Sequence, residues 1–337
     1  MKLINITFIL FGLIALNSCK TEIDVTGPWK ENAAIYGLLN SNDSVHYLRI
    51  HRAYLDSQRS ALEITRIEDS IYFDSLNVMA YTYSGNLIID SVILKKSILN
   101  NKDSGMFKYP EQALYSFQKK LNSDHKYHFK INNPLTSYQA SASTQIIESD
   151  IYVIRPGELS KINFVSDRIH KVDFRLPKYA FDIEIYVELF FTESIGTTSK
   201  TDSIKVQLYR STNTEFDAGE IINVEYPGKS FYSNLKNQIK EVPNIKRSAD
   251  SIQYHFYFRG EHLSNYIRAG YAQSGISGSQ ALLEYSNVEN GNGIVSSVTE
   301  KHIYSKELSP IFKDSLACSY LTKNLNFLDR NNLLSCP

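Results

Sequence analysis

Asp182-Ile183-Glu184-Ile185-Tyr186-Val187-Glu188-Leu189-Phe190-Phe191 is the stretch that sets the fold class. Ile183, Ile185, Val187, Leu189 and Phe191 fall on every second position, and the positions between them are mostly polar. A period of two puts one set on each side of an extended chain, so the stretch reads as a strand with one dry and one wet face. After a loop rich in Thr, Ser and Gly, Ile204, Val206 and Leu208 alternate with Lys205, Gln207 and Tyr209. Two such runs predict a hairpin in which Lys205 is able to face a carboxylate across the strands. Further on, Ile252, Tyr254, Phe256 and Phe258 alternate with Gln253, His255, Tyr257 and Arg259, with bulk enough for an interior strand packed on both faces. Helical spacing is scarce. Tyr232, Leu235 and Ile239 share a stripe after Ser230, and Leu263, Tyr266 and Ile267 share another near Glu261; both are short.

Upstream, Ala33 to Leu39 and Val45 to Leu55 flank the turn-forming Asn40-Ser41-Asn42-Asp43-Ser44, with Leu48 and Ile50 facing inward. Leu76 to Tyr83 and Leu87 to Leu94 bracket Ser84-Gly85-Asn86, where glycine supplies the positive φ of a tight turn. Leu121-Asn122-Ser123-Asp124-His125-Lys126-Tyr127 precedes the alternating Tyr127, Phe129 and Ile131. This Leu-to-Tyr step is similar to the corner before strand F of fibronectin type III and immunoglobulin-like sandwiches, in which the tyrosine hydroxyl caps the corner. Tyr138 to Ile147 alternates again as a returning strand. The expected fold is mainly β: an immunoglobulin- or fibronectin-III-like β-sandwich over 33–148, then a second β-rich domain over 149–305 with a few short helices. Arg155-Pro156-Gly157 breaks the pattern near the boundary, within Ser149 to Gly157.

The chain opens with Lys2 and the apolar run Ile6 to Leu16, too short to cross a bilayer, where roughly twenty residues are needed. Leu16-Asn17-Ser18-Cys19 resembles the lipobox of bacterial lipoproteins, which makes 1–18 a signal peptide and Cys19 the lipidation site. Three acyl chains at about 0.8 kcal/mol per buried CH₂ exceed what stable anchoring requires. Residues 19–32 then read as the lipidated cysteine and a polar tether. Lys20 stands where some lipoproteins carry an inner-membrane retention aspartate, so the expected location is the outer membrane, on its periplasmic or its cell-surface face. Cys318 and Cys336 remain, in the C-terminal segment 306–337 of an exported chain, and a disulfide is the simple account. Closing that loop would restrict the unfolded tail by about 3 kcal/mol, holding a segment with little core of its own. Thirty-six basic and thirty-six acidic residues give no net charge, and no like-charge run forms a stripe, so nucleic acid is not an expected partner.

No residue pattern completes a catalytic or metal set. Asp182, Glu184 and Glu188 share one strand face, but calcium takes six to eight oxygens converging from loops. The eight histidines are dispersed, without a His-Glu-x-x-His motif, so neither a metal nor another cofactor is expected. Gly228-Lys229-Ser230 resembles the end of a phosphate loop, but Asn223 occupies the position of that motif's first glycine. Gly275-Ile276-Ser277-Gly278-Ser279 lacks the closing glycine of a nucleophile elbow and any surrounding parallel α/β pattern. The best recognition surface is His255, Tyr257 and Arg259, since aromatic and Arg side chains supply disproportionate binding energy.

Several stretches together resemble a family of Bacteroidota envelope lipoproteins: Ala34-Ile35-Tyr36-Gly37-Leu38-Leu39, Asn42 to Ile50, and Tyr285-Ser286-Asn287-Val288-Glu289-Asn290-Gly291-Asn292-Gly293-Ile294. The glycines of the last stretch suggest a turn with unusual backbone angles. The resemblance implies location and a two-part β architecture, and brings no active residues to transfer. The expected role is non-enzymatic binding or assembly beside outer-membrane components, with an outer-membrane protein or a glycan as partner and the membrane held through the lipid anchor. A glycan or peptide hydrolase is one alternative, requiring converging carboxylates or a nucleophile with a base. A carbohydrate-binding module is another, requiring exposed aromatic rings, Tyr257 first among them.

Overall fold

The computed structural model describes residues 31–53, 61–65, 67–105, 110–157, 160–212, 217–274, 284–334 and 336. The expected signal peptide, Cys19, the expected tether as far as residue 30 and Gly275 to Ser279 lie outside the described residues; Glu31, expected in the tether, is buried and accepts from the Asn133 amide at 2.8 Å. The first half contains β1 (Ala33–Asn40), β2 (Val45–Arg52), β3 (Asn77–Ser84), β4 (Leu87–Ile93), β5 (Lys95–Leu99), β6 (Gln112–Gln118), β7 (Lys126–Asn132) and β8 (Gln139–Gln145). The second contains β9 (Val153–Arg155), β10 (Ile169–Arg175), β11 (Asp182–Ile195), β12 (Thr198–Thr212), β13 (Ile221–Pro227), β14 (Lys246–Arg259), β15 (Val288–Glu289) and β16 (Asn292–Lys306). Its main helices are α1 (Gly228–Gln238), α2 (Glu261–Ser274) and α3 (Pro310–Cys318). The chain is mainly β, as its alternation predicts.

One sheet of eight strands runs β12-β11-β14-β16-β1-β2-β6-β5 through the whole molecule. Over its β1 end lies a five-stranded sheet, β15-β8-β7-β3-β4, and the pair forms the N-terminal sandwich. Tyr127, Phe129 and Ile131 of β7 meet Ile35, Leu48 and Ile50 in one core. Phe129 is wholly buried, a contribution of about 2–3 kcal/mol. Both expected hairpins form, and Gly85 takes φ 58° in the second turn. The corner forms too: Tyr127 Oη accepts from the Asn122 backbone N–H at 3.0 Å. Tyr127→Phe keeps the buried ring and leaves that N–H unpaired. It is expected to cost about 1 kcal/mol, visible as a drop of a few degrees in a circular-dichroism melt; an unchanged melt would remove the corner from the stability account.

The sandwich is not closed by residues 33–148, as the sequence suggested. β1 gives one edge to β2, over Ala33–Tyr36, and its other edge needs a partner. That partner comes from far along the chain: β16 pairs parallel with β1 from Ala34↔Asn292 to Asn40↔Val298. β15 joins β8, and Val288 and Val295 enter the sandwich core. Beyond Val298, β16 pairs antiparallel with β14, so the 149–305 region shares a strand with the first sandwich instead of standing apart.

The glycine-rich stretch around Gly291 and Gly293 is the clasp that makes this return. Gly293 has φ 106°, and a Cβ there would lie 2.1 Å from the Ile35 carbonyl oxygen. Asn290 takes the left-handed conformation at φ 53°. The Asn287 amide donates to the carbonyls of Ser143 and Val295, at 2.9 and 2.8 Å, and accepts from the Val295 N–H at 2.9 Å. Tyr138 Oη accepts from the Ala33 N–H at 2.9 Å and donates to the Asn290 carbonyl at 2.5 Å. Backbone angles that glycine favours, with polar groups satisfied on both sides, join two segments that sequence keeps apart.

The larger core lies under β11 and β14, covered by the three-stranded sheet β13-β10-β9 and by α1 and α3. α1 buries Phe231, Tyr232 and Leu235. Gly228, the glycine of the phosphate-loop-like triplet, opens that helix against backbone, where a Cβ would meet the Val165 carbonyl oxygen at 1.9 Å. A packing reason accounts for it. The C-terminal segment, expected to have little core of its own, places Phe312, Leu316, Leu325 and Phe327 in this core. Arg247, 1% exposed, ties it down: Nε donates to Glu193 at 2.8 Å, Nη2 to the Lys240 carbonyl at 3.0 Å and Nη1 to the Leu325 carbonyl. Cys318 and Cys336 form the disulfide, Cα atoms 5.3 Å apart.

Candidate functional site

His255, Tyr257 and Arg259 come together on the outer face of β14, an interior strand between β11 and β16. Its inner residues Ile252, Tyr254, Phe256 and Phe258 are buried, so alternation leaves the polar set outside. The neighbouring strands bring Glu184, Tyr186 and Glu188 from β11, Lys205 and Arg210 from β12, and Glu300 and His302 from β16 to the same face.

These groups pair with one another. Arg259 donates to Asp182 at 3.2 Å and to Glu184 at 2.7 Å. Burial pushes the Glu184 carboxyl up, but the Arg259 hydrogen bond and charge, helped by Tyr186 and Arg210, outweigh it and leave it below the usual carboxylate range. Lys205 stands opposite Glu188 in register, the cross-strand placement its position predicts. Its ammonium turns instead to the rings of Tyr186 and Tyr257, at 4.8 and 4.9 Å, and donates to Tyr257 Oη at 3.0 Å. The His255 ring lies nearly parallel to that of Tyr257 at 6.3 Å, and the Tyr186 and His302 rings meet it edge-on at 6.0 and 5.8 Å. Tyr257 thus packs among a cation and three rings.

His255 links two strands. Its Nε2 lies 3.0 Å from Glu188 Oε2 and its Nδ1 lies 2.8 Å from His302 Nδ1. Burial, then the charges of Lys205 and His302, hold the His255 imidazole below its ordinary value against the pull of Glu188. Held neutral, it donates from Nε2 to the carboxylate and accepts at Nδ1 from His302, the tautomer its partners require. Glu188 and His255 have the arrangement of an orienting acid and a base. The adjacent cleft, about 270 Å³, is lined by Asn40, Tyr257, Arg259, Thr299 and Glu300 and not by that pair. Among the described residues no group of three or more His, Cys, Asp or Glu is placed to hold a metal ion. His302 and Lys205 complete this face, and only cross-strand register could have joined His302 to it.

Acid is expected to loosen the fold through its histidines. Burial is the largest cause of a lowered value at His46, His51, His128, His255 and His262, and His51, also beside Arg49 and Lys102, falls from 6.5 to about 4. Folded values below the unfolded one mean that the unfolded chain binds more protons between pH 6.5 and about 4, so stability falls as pH drops through that window. For His51 alone the loss is about 2 kcal/mol after allowing for solvent screening. Melts from pH 8 to pH 4 should decline below 6.5, and His51→Asn should flatten the decline; parallel curves would refute the assignment to His51.

A second surface lies at the open margin of the N-terminal sandwich. β4 ends the five-stranded sheet and β5 ends the eight-stranded one, with Leu94 alone between them in the chain. Leu87, Ile88, Ile89, Ile93 and Ile98 are 51–73% exposed along these two edges. A bulge opposite Thr82 and Tyr83 inserts Ile89 as the extra residue. Asp90, the one charge in β4, turns toward the gap between the sheets and is held by Lys119 at 2.5 Å, which also donates to Thr82 Oγ1 at 2.6 Å. Beside β4, a groove of about 630 Å³ crosses the outer face of the sheet from Ile93, Met79 and Tyr81 to Lys130, Ser141 and Glu289. The signal in the sequence was Leu87-Ile88-Ile89, consecutive aliphatics that break alternation and must put side chains on both faces of the strand.

No protein-family model and no curated protein matches the chain. Among solved structures, a chimeric titin Z1Z2 is 10% identical, with 81% of this chain and 97% of that one covered, at a TM-score of 0.19. CBD12 from CALX1.2 is 10% identical, with 79% and 98% covered, at 0.17. Tripeptidyl peptidase 2 is 11% identical over 68% of this chain, at 0.17, and the chain spans only 20% of that protein's length. Superpositions this loose leave the strand order and register above as the description of the fold.

Proposed function

We propose that the protein is an envelope lipoprotein, anchored through Cys19 to the outer membrane, whose β modules have a non-enzymatic binding or assembly role beside other outer-membrane components. The observation that carries the role is the aliphatic margin formed by β4 and β5, which end their sheets among the described residues, since contiguous exposed apolar residues on a sheet edge serve association. The anchor reading is supported by Lys2 to Cys19 and by the family resemblance. Metabolic labelling with an alkyne fatty acid, membrane fractionation and affinity isolation test both parts. The chain should carry lipid, Cys19→Ala should leave the membrane fraction, and an outer-membrane protein should copurify with the anchored form. An unlabelled chain in the soluble fraction would sink the anchor, and isolation without a stoichiometric companion would sink the assembly role.

The Glu188–His255 pair specifically favours a hydrolase as second reading. In that case Glu188→Gln would abolish turnover of an envelope glycan or peptide while leaving the melt within about 1 kcal/mol of the parent. Equal turnover in both proteins, or none in either, removes this reading.

A further inference from the structure

We infer that the β4 margin takes up an extended segment of a different polypeptide as an added antiparallel strand, and that this segment is aliphatic at alternating positions and preceded by acidic residues. The inference rests on the assembly reading above and specifies its surface, its mode and its partner. An edge strand presents a row of unpaired N–H and C=O groups, and what satisfies such a row is another extended backbone. Among the described residues, β4 has a strand neighbour on the β3 side alone. Leu87–Ile93 contains no proline and no lysine; its single charge, Asp90, is held by Lys119 and takes the Ser91 N–H at 2.7 Å, and the bulge at Ile89 confines the regular edge to Asp90–Ile93.

Side chains define the partner further. Ile93 and Ser91 face outward beside Met79 and Tyr81, so alternate side chains of an added strand would extend the apolar end of the groove. An antiparallel newcomer sets its N-terminal end beside the C-terminal end of β4, where Lys95 follows, exposed, and then Lys96, whose ammonium donates to the Phe73 carbonyl at 2.9 Å. Acidic residues at that end complement those cations. A second copy of this chain does not supply that charge, since Ser84-Gly85-Asn86 precede its own Leu87–Ile93 strand.

The test uses the full chain in the membrane of its own cells, with a photocrosslinking amino acid placed singly at Ile88, Ser91, Ile93 and, away from the margin, Tyr304. Ser91 and Ile93 variants should form adducts with one outer-membrane polypeptide. Mass spectrometry should map the crosslinked segment to an aliphatic alternating run after acidic residues, and Ile88→Lys should lower the Ser91 adduct yield by about tenfold without moving the melt. Adducts with lipid alone, adducts between two copies of this chain, or a mapped segment that is helical or lacks the alternation each overturn strand addition. A specific polypeptide captured from Tyr304 and not from β4 leaves the assembly reading standing and removes this inference; no protein captured from any position removes both.

Discussion

Gly293→Ala is expected to lower stability by about 3–5 kcal/mol. Two costs combine. Alanine is strained at φ 106°, and its Cβ would stand 2.1 Å from the Ile35 carbonyl oxygen, a backbone atom of β1 that cannot swing aside. The alternatives are distortion of the parallel pairing or loss of it, and either frees an edge of β1. Gly85→Ala separates the two costs, since Gly85 has φ 58° with no atom within 4 Å of its added Cβ. That change should cost only about 1 kcal/mol. Urea unfolding of both variants measures the contrast, and amide exchange should show β1 losing protection in the Gly293 variant alone. Equal losses in the two proteins would mean that strain, without steric contact between β16 and β1, explains the position.

Arg247→Met should cost about 3 kcal/mol and should release the C-terminal segment before the rest of the fold. The substitution preserves much of the apolar stem and removes every polar partner at once. The Leu325 carbonyl loses its donor in a buried place and the Lys240 carbonyl in a part-buried one, while Glu193, about a quarter exposed, recovers water. Glu193→Gln keeps an acceptor for the guanidinium and should cost about 1 kcal/mol. In the double variant the two losses should sum to less than their total, because one partner's penalty disappears with the other. Limited proteolysis under reducing conditions, where the disulfide no longer retains the tail, should cut the Arg247 variant between α3 and Cys336 at denaturant levels the parent resists. If the tail is cut equally in both proteins, the main-chain bonds from Arg247 to Asn326 and Leu328 are sufficient to hold it.

What the chain discloses locally it discloses well. β11 appears in its own alternation, β7 in the Leu121-to-Tyr127 corner, the β3–β4 turn in Gly85, and the cysteine pair in a count of three with one assigned to the anchor. Each of these signals acts over fewer than twenty residues. The β1–β16 pairing is of another kind: nothing in the period of Ile35 and Leu39 says which distant strand lies beside them, and only the glycine-bearing stretch at 285–294 hints at close backbone approach. α3 has little signal in the sequence because Phe312 and Leu316 make a short stripe after Pro310, in a segment expected to rely on its disulfide. The outer face of β14 was legible as a residue set, and its inner partnerships were not. His255 reaches Glu188 and His302 across strand boundaries that periodicity does not encode. For the same reason the Leu87-Ile88-Ile89 run read as half of a hairpin, since being at the end of a sheet is a property of the whole topology.

The strand shared by both halves also imposes an order on the making of the protein. Synthesis delivers β1 early and β16 late, and at typical rates the interval between residues 148 and 292 is roughly ten to thirty seconds. Through that time the N-terminal half is a sandwich with one slot vacant, unable to finish on its own schedule. Completion waits for about the last seventh of the chain, so a product cut short before Asn292 yields no finished first module, however intact its own sequence.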